Sequence, residues 1–499
     1  MLKRFALAAV AIVLLSTTTT AVAALLELKT DIGLLTSGDK VDVGEGVLGG
    51  EAKGSRTIMV LGSDRRAADG PKAPSQSDTV MLIRLDAEKG ATSILSLPRD
   101  LKVNIPGNAV PDKLNAAYAR GGEELTIKTV KALLAPHSPT GKFPISHVVN
   151  INFGGFQRLV NYLDCVYIDV DRHYFNNNNP PAGDTTRYAE IDVPAGYQRM
   201  CGGDALSYVR YRHFDSDLVR GARQQEFLRQ SKNQVGVDKL VSDRHELFKI
   251  IGRYMQTDIR GTGKLIGLLK LANQASKKPL REIPFPADST GDGVTNTFVT
   301  ITDADLDRTV KRFMDADLGV GKTEAPKDPD AGAKKTKKPT KKKKKNQSAK
   351  LPAGMQLAQV EGENIAAQLA PKLALPVLYP KAKMTGALYR SDDSRAYILK
   401  DKQNHKYPSY RMVVGLDRVL GQYYGIQGTR WENPPILEEE TRRIKLGKRE
   451  FLVFEDGNRI RTIALKTKDG AYWVSNSLLL SLTNQQMIAI ARSLVKLGG

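Results

Sequence analysis

Apolar and polar positions alternate regularly over about 55–320, lose all periodicity over 321–352, and become regular again over 353–499. In the first stretch, residues 57–61, 79–85 and 92–97 are short apolar runs, the first ended by Gly62 and the last two separated by Glu88-Lys89-Gly90, and they predict three strands. Runs as apolar as these belong in the middle of a sheet covered by helices. Helical spacing follows at 113–118 and 123–134, then a strand at 147–152, a helix at 155–163, a strand at 166–170 and a helix over 218–235. Later helices are expected at 244–256, 264–275 and 304–314, with a strand at 294–301. The alternation predicts an α/β fold with a mixed central sheet covered by helices on both faces. In the second stretch, strand-like runs at 396–399, 412–414, 451–454, 462–465 and 472–474 precede an amphipathic helix over 484–497 with Thr483 as its N-cap. That predicts a smaller C-terminal α+β domain without a catalytic constellation.

Composition changes the picture at the N-terminal end and in the linker. Lys3 and Arg4 precede an uncharged run from Phe5 to Leu26, long enough to cross a bilayer as a helix, with the positive charges left on the cytoplasmic side. Thr17 to Thr20 interrupt the run, and Ala21-Val22-Ala23 resembles a signal-peptidase site, so residues 1–27 read as a signal anchor or a cleaved signal peptide. Either exports the remainder, with 28–54 as an extracytoplasmic lead-in, and removes genomic DNA as a partner. The net charge of +21 therefore points to another polyanion or to a membrane surface. Nine lysines between Lys334 and Lys345, with prolines and no apolar period, predict an extended linker over 321–352, either a spacer or an electrostatic attachment to wall polymer. In an exported chain the two cysteines, Cys165 and Cys201, are expected to form a disulfide, worth about 3–4 kcal/mol in the chain-entropy model; the alternative is a pair of buried thiols.

The densest chemistry lies between Gly202 and Leu228. Arg210, Arg212, Arg220 and Arg223 fall within fourteen residues, with Asp215 and Asp217 between them and Gln224 and Gln225 after. On a helix, Arg220, Arg223, Gln224 and Phe227 share one face, whereas Arg229 points elsewhere; Arg210 and Arg212 align only if their segment is extended. Planar guanidiniums can each hold two phosphate oxygens, so the set reads as a polyphosphate clamp, against the plainer reading of a solvated helix face.

Two acids stand at strand ends. Asp64 follows the first strand in VLGSDRR and Asp78 opens the second in SQSDT, at one sheet edge if these strands pair antiparallel. Mg²⁺ takes one or two protein carboxylates and fills its shell with phosphate oxygens and water, which suits this pair; Asp78 could equally be a turn residue. Arg99 and Asp100 end the third strand in SLPRD, and Lys113 and Asn115 in DKLNAAY begin a helix, where free amides favour anions.

GSD, SDT, LPRD, DKLNAAY, ALSYVRYRH, DSDLVR and RQQEFL, in this order over about 57–235, resemble the LytR-CpsA-Psr family of cell-envelope proteins. The resemblance implies a membrane-anchored, single-pass enzyme with the bulk of its chain outside the cell. Such an enzyme transfers a glycopolymer from a polyprenyl-pyrophosphate carrier to a peptidoglycan acceptor. Its implied sites are Asp64 and Asp78 for Mg²⁺, Arg99, Arg210, Arg212, Arg220 and Gln224 for the pyrophosphate, and Asp217 to orient them. Lys113, Asn115 and Arg223 are supporting residues. The family commonly has arginine where this chain has Gln76, and Arg65 or Arg66 are the replacements at hand. The same residues are compatible with a lipid pyrophosphate phosphatase or with a non-catalytic envelope regulator or wall-binding protein.

Overall fold

The computed structural model describes residues 41, 43–49, 54–63, 77–179, 189–211, 216–235, 244–259, 262–275, 280–290, 298–315, 351–417 and 421–498, and Gly33. The N-terminal run 1–27, Asp64, Arg65, Arg66, Gln76, Arg212 and the lysine stretch lie outside these residues. The described chain forms two compact units: residues through 164 with 235–280 and 286–314, and residues 165–234 with 281–285 and 315–499.

The first unit is organised by β1 (Arg56–Ser63), β2 (Ser77–Asp86), β3 (Ala91–Leu97) and β4 (His147–Asn152). β1 pairs antiparallel with β2 and parallel with β4, and β2 pairs antiparallel with β3, which gives a mixed sheet. β3 is buried throughout, as its composition predicts, but β1 alternates: Met59 and Leu61 are buried while Ile58 and Val60 are half-buried. Strand parity sorts the two faces. Ile58, Ile83 and Leu85 pack against Leu268, Leu271 and Ala275 of the helix Thr262–Ala275. On the other face Asn150, in register with Leu61, donates to Tyr118 of α1 (Leu114–Leu134) at 2.7 Å. Helices therefore cover both faces. α1 is two helical pieces joined at Gly121-Gly122, where Gly122 has φ 57°, a left-handed conformation that glycine tolerates. The helix expected over 244–256 stops at Tyr254, and Met255–Thr257 instead adds an edge strand to β4, locked by Thr257 Oγ1 donating to the Val148 carbonyl at 2.7 Å. α2 (Phe153–Tyr162) is capped by Asn152, whose side chain accepts from Gly155 N at 2.8 Å.

In the second unit β5 (Val166–Val170) and β6 (Gly196–Met200) pair antiparallel and lead into α3 (Gly202–Arg210) and α4 (Asp217–Gln234). The C-terminal segment contributes β7 (Lys406–Asp417), β8 (Gln422–Thr429), β9 (Arg442–Leu446), β10 (Arg449–Asp456), β11 (Arg459–Thr467) and β12 (Gly470–Ser475), ordered β7-β8-β12-β11-β10-β9 and antiparallel. Along β11 and β12 the side chains are buried on both sides. Ile463 and Val474 face α5 (Asn484–Arg492), with Met487 and Ile490; Ala464 and Trp473 face Tyr167 of β5 and Tyr197 of β6. Thr483 and Gln486 form the capping box of α5, which ends at Arg492, earlier than its apolar period implies, because Leu494–Lys496 pairs as a strand with Leu378–Pro380. The C-terminal sheet thus shares a core with the hairpin that precedes the arginine segment.

Cys165 and Cys201 are joined, tying the start of β5 to the residue before α3. Mass spectrometry of the native protein without reductant is expected to recover the linked peptide, and complete alkylation of both thiols in native protein would contradict the bond.

Candidate anion-binding site

In the first unit the site is built on one irregularity and one turn. Gly62 pairs with Thr79 and Ser63 with Ser77, so Asp78 is the extra residue of a bulge, which turns its side chain away from the regular pleat. Arg99, beyond the buried end of β3, donates to Asp78 Oδ1 at 2.5 Å. Its side chain is 8% exposed against 35% for Asp78, so the guanidinium is fixed from behind while the carboxylate reaches solvent. The Pro98–Leu101 turn is closed by Leu101 N donating to Pro98 O at 3.1 Å. Asp100 then sits between Arg99 (3.7 Å) and Lys113 (3.2 Å), its carboxylate engaged by two cations. Two of the first amides of α1 are already used: Leu114 N donates to Leu101 O at 2.9 Å and Asn115 N to Arg99 O at 3.0 Å. Lys113 and Asn115 thereby hold the turn that carries Arg99.

In the second unit, Ser216 starts α4 by accepting from Val219 N on its hydroxyl (3.3 Å) and from Arg220 N on its carbonyl (3.1 Å). Asp217 and Arg220, one turn apart, form a 2.8 Å ion pair with both side chains only 6% exposed. Arg210 is the last residue of α3, so the extended arrangement expected for Arg210 and Arg212 does not apply to Arg210. The end of α3 is held by α4: Gln224 Nε2 donates to Val209 O at 3.2 Å and Arg223 to Tyr211 O at 2.7 Å. Carbonyls at a helix C-terminus lack partners within the helix, and these two side chains supply them. Arg223 is wholly buried, its guanidinium 4.6 Å from the ring centre of Tyr174 and 5.6 Å from that of Tyr208. Arg220, three residues earlier on the same helix, is itself only 5% exposed. Arg229 pairs with Glu226 and, at 2.9 Å, with Glu282.

The structure brings Asp78, Arg99, Asp100, Lys113 and Asn115 together in the first unit, and Arg210, Asp217, Arg220, Arg223 and Gln224 in the second. Among the described residues no group of three or more His, Cys, Asp or Glu is placed to hold a metal. The tyrosines around Arg223, and Ser216, are the contributors that sequence reading missed; an ALSYVRY run at helical spacing was the available signal for the first.

Each unit thus holds a candidate guanidinium paired with a carboxylate, Arg99 with Asp78 in the first and Arg220 with Asp217 in the second. The chain belongs to the LytR_cpsA_psr family, whose sequence model matches residues 22–312. It is 35% identical over 179 residues to the polyisoprenyl-teichoic acid–peptidoglycan teichoic acid transferase TagT of Bacillus subtilis (strain 168), an alignment covering 35% of this chain and 51% of that protein. To the corresponding transferase TagU of Halalkalibacterium halodurans it is 29% identical over 231 residues, covering 46% of this chain and 69% of that one. The chain thus spans about half the length of the first of these relatives. The crystal structure of B. subtilis TagT aligns with a TM-score of 0.40 at 27% identity, over 56% of this chain and 100% of that one.

Proposed function

We propose that this chain transfers a glycopolymer from a polyprenyl-pyrophosphate carrier to peptidoglycan, outside the cell, anchored through residues 1–27. Family membership and the transferase names of the relatives support the reading. The observation that carries it is the bracing of Arg99 by Asp78 and of Arg220 by Asp217. In the transfer, an acceptor hydroxyl oxygen bonds to the glycan-bearing phosphorus, the bond to the polyprenyl phosphate breaks, and the hydroxyl proton is lost. Negative charge grows on the departing phosphate, and cations already held in place stabilise it without reorganising during the reaction. Arg99 and Arg220 are held in that way. Lys113 and Asn115 keep the Arg99 turn in place, and Gln224 and Arg223 keep Arg210 at the end of α3.

The reading of a Mg²⁺ site in the first unit is supported by Asp78, a hard oxygen donor at a bulge and one third exposed, and by Asp64, which follows β1 in the sequence. When bound there, the ion would neutralise phosphate charge. Asp78→Ala should therefore lose Mg²⁺-dependent product formation while the chain stays folded, with a lowered unfolding temperature because the nearly buried Arg99 guanidinium loses its 2.5 Å partner and keeps Asp100 at 3.7 Å. Parent-level turnover of Asp78→Ala at limiting Mg²⁺ would overturn the assignment.

A further inference from the structure

Arg461 of the C-terminal sheet reaches the arginine-bearing helix. In β10 and β11, Phe454 pairs with Thr462 and Glu455 with Ile460, which leaves Arg461 as the extra residue of a bulge. Its guanidinium contacts Glu226 of α4 at 3.0 Å, Glu282 at 2.7 Å and Asp456 at 2.8 Å. Arg229 closes the group by pairing with both Glu226 and Glu282. The side chains of Glu226, Glu282, Asp456 and Arg461 are all less than one tenth exposed. Replacing such a cluster by apolar side chains commonly costs no stability, so its value lies in the geometry that it imposes. Glu226 stands two residues beyond Gln224 and six beyond Arg220, on the same rigid helix.

We propose that Arg461 is a positioning residue for the anion-binding helix. By holding Glu226 and Glu282 from the C-terminal sheet it fixes the seat of α4, and through α4 the placement of Arg220 and Gln224. The C-terminal domain is then a working part of the carrier site. The proposal rests on the carrier-binding reading above.

Charge balance in the cluster gives a readout that simple scaffolding would not. Three carboxylates face two guanidiniums. Burial raises both glutamates, but Arg229 and Arg461 outweigh it at Glu226, which is lowered to about 2. At Glu282 burial prevails over Arg461 and Arg229, with Asp456 and Glu226 adding to it, and the group is raised to about 7. Because the folded value of Glu282 lies above its ordinary 4.5, its contribution is complete below about 4.5 and is lost as pH rises through about 7. The Glu226 contribution has the opposite sign and is lost only as pH falls towards about 2.

The test is calorimetric titration of the full chain with a short-chain polyprenyl pyrophosphate at pH 6 and pH 8, for the parent, Arg461→Met, Arg461→Lys and Glu282→Gln. Arg461→Met is expected to weaken binding roughly tenfold, the size of coupling between contacting groups, with Arg461→Lys recovering part of it. Glu282→Gln balances the cluster at two carboxylates and two guanidiniums, so at pH 8 it should bind more tightly than the parent and show a smaller change between the two pH values. Titration of the ligand is common to both and cancels in that comparison. A folded Arg461→Met that binds as the parent does would overturn the proposal. If Arg461→Met does not fold, the Glu282→Gln comparison decides, and a pH response identical to that of the parent overturns it. A parent that binds no carrier at either pH would overturn the carrier reading itself and the proposal with it.

Discussion

Arg411→Met is expected to destabilise the second unit by about 3–5 kcal/mol, the cost of leaving one member of a buried ion pair without the other. Arg411 is 1% exposed and places one nitrogen 2.9 and 3.1 Å from the two oxygens of Asp169 on β5, whose side chain is 5% exposed. Trp473 Nε1 also donates to Asp169, at 3.1 Å, so losing Arg411 leaves a carboxylate with an indole for company and little water. The neighbouring strand makes room for the guanidinium with Gly425, where any Cβ would collide with it. Urea denaturation should show the midpoint falling sharply, and the double variant Asp169→Leu/Arg411→Met should recover much of the loss because no buried charge remains. An unchanged midpoint for Arg411→Met would mean that β5 is held by its aromatic contacts alone.

Arg220→Lys should cost about 1.5–3 kcal/mol of carrier affinity or transition-state stabilisation, roughly one to two orders of magnitude. Lysine keeps the charge but loses the planar fork, and with it the ability to face Asp217 and a phosphate at once. Arg443, 57% exposed and paired with Glu440, is the control, and its lysine variant should bind as the parent does. Arg229 cannot serve, although its helical spacing turns it from the clamp, because it is part of the buried cluster with Glu226 and Glu282. Equal tolerance of lysine at Arg220 and Arg443 in a carrier titration would reduce the segment to a diffuse basic surface.

What could be read from the sequence is what depends on local periodicity. The strands β1 to β3, the two-piece helix α1 and the helix α4 follow from apolar spacing and glycine placement, and the antiparallel pairing of β1 with β2 places Asp78 at the expected sheet edge. The seat of Arg99 against Asp78 is a contact between neighbouring strand ends and follows once that pairing is known. The roles of Arg411 and Arg461 do not follow. In sequence each is one more cation among 75 lysines and arginines, and Arg411 meets Asp169 across 242 residues. Bulges at Asp78 and Arg461 escaped notice for a related reason: one extra residue in a strand is visible only against its partner. The enclosure of Arg223 by Tyr174, Tyr208 and Tyr211 is likewise invisible in a helical period, which gives the face of a side chain and not what covers it. Whether the segment of Arg210 and Arg212 is extended was left open by the spacing, and Arg210 closes α3, whose end is held by side chains from α4.

The most direct measurement is product analysis after incubating the purified chain with a polyprenyl-pyrophosphate-linked glycan and a peptidoglycan acceptor, with Mg²⁺ or with a chelator. The account predicts a covalent glycan–peptidoglycan phosphodiester together with free polyprenyl phosphate, both abolished by the chelator and by Asp78→Ala. Release of glycan phosphate into water with no coupled peptidoglycan, or no consumption of the carrier at all, would contradict it.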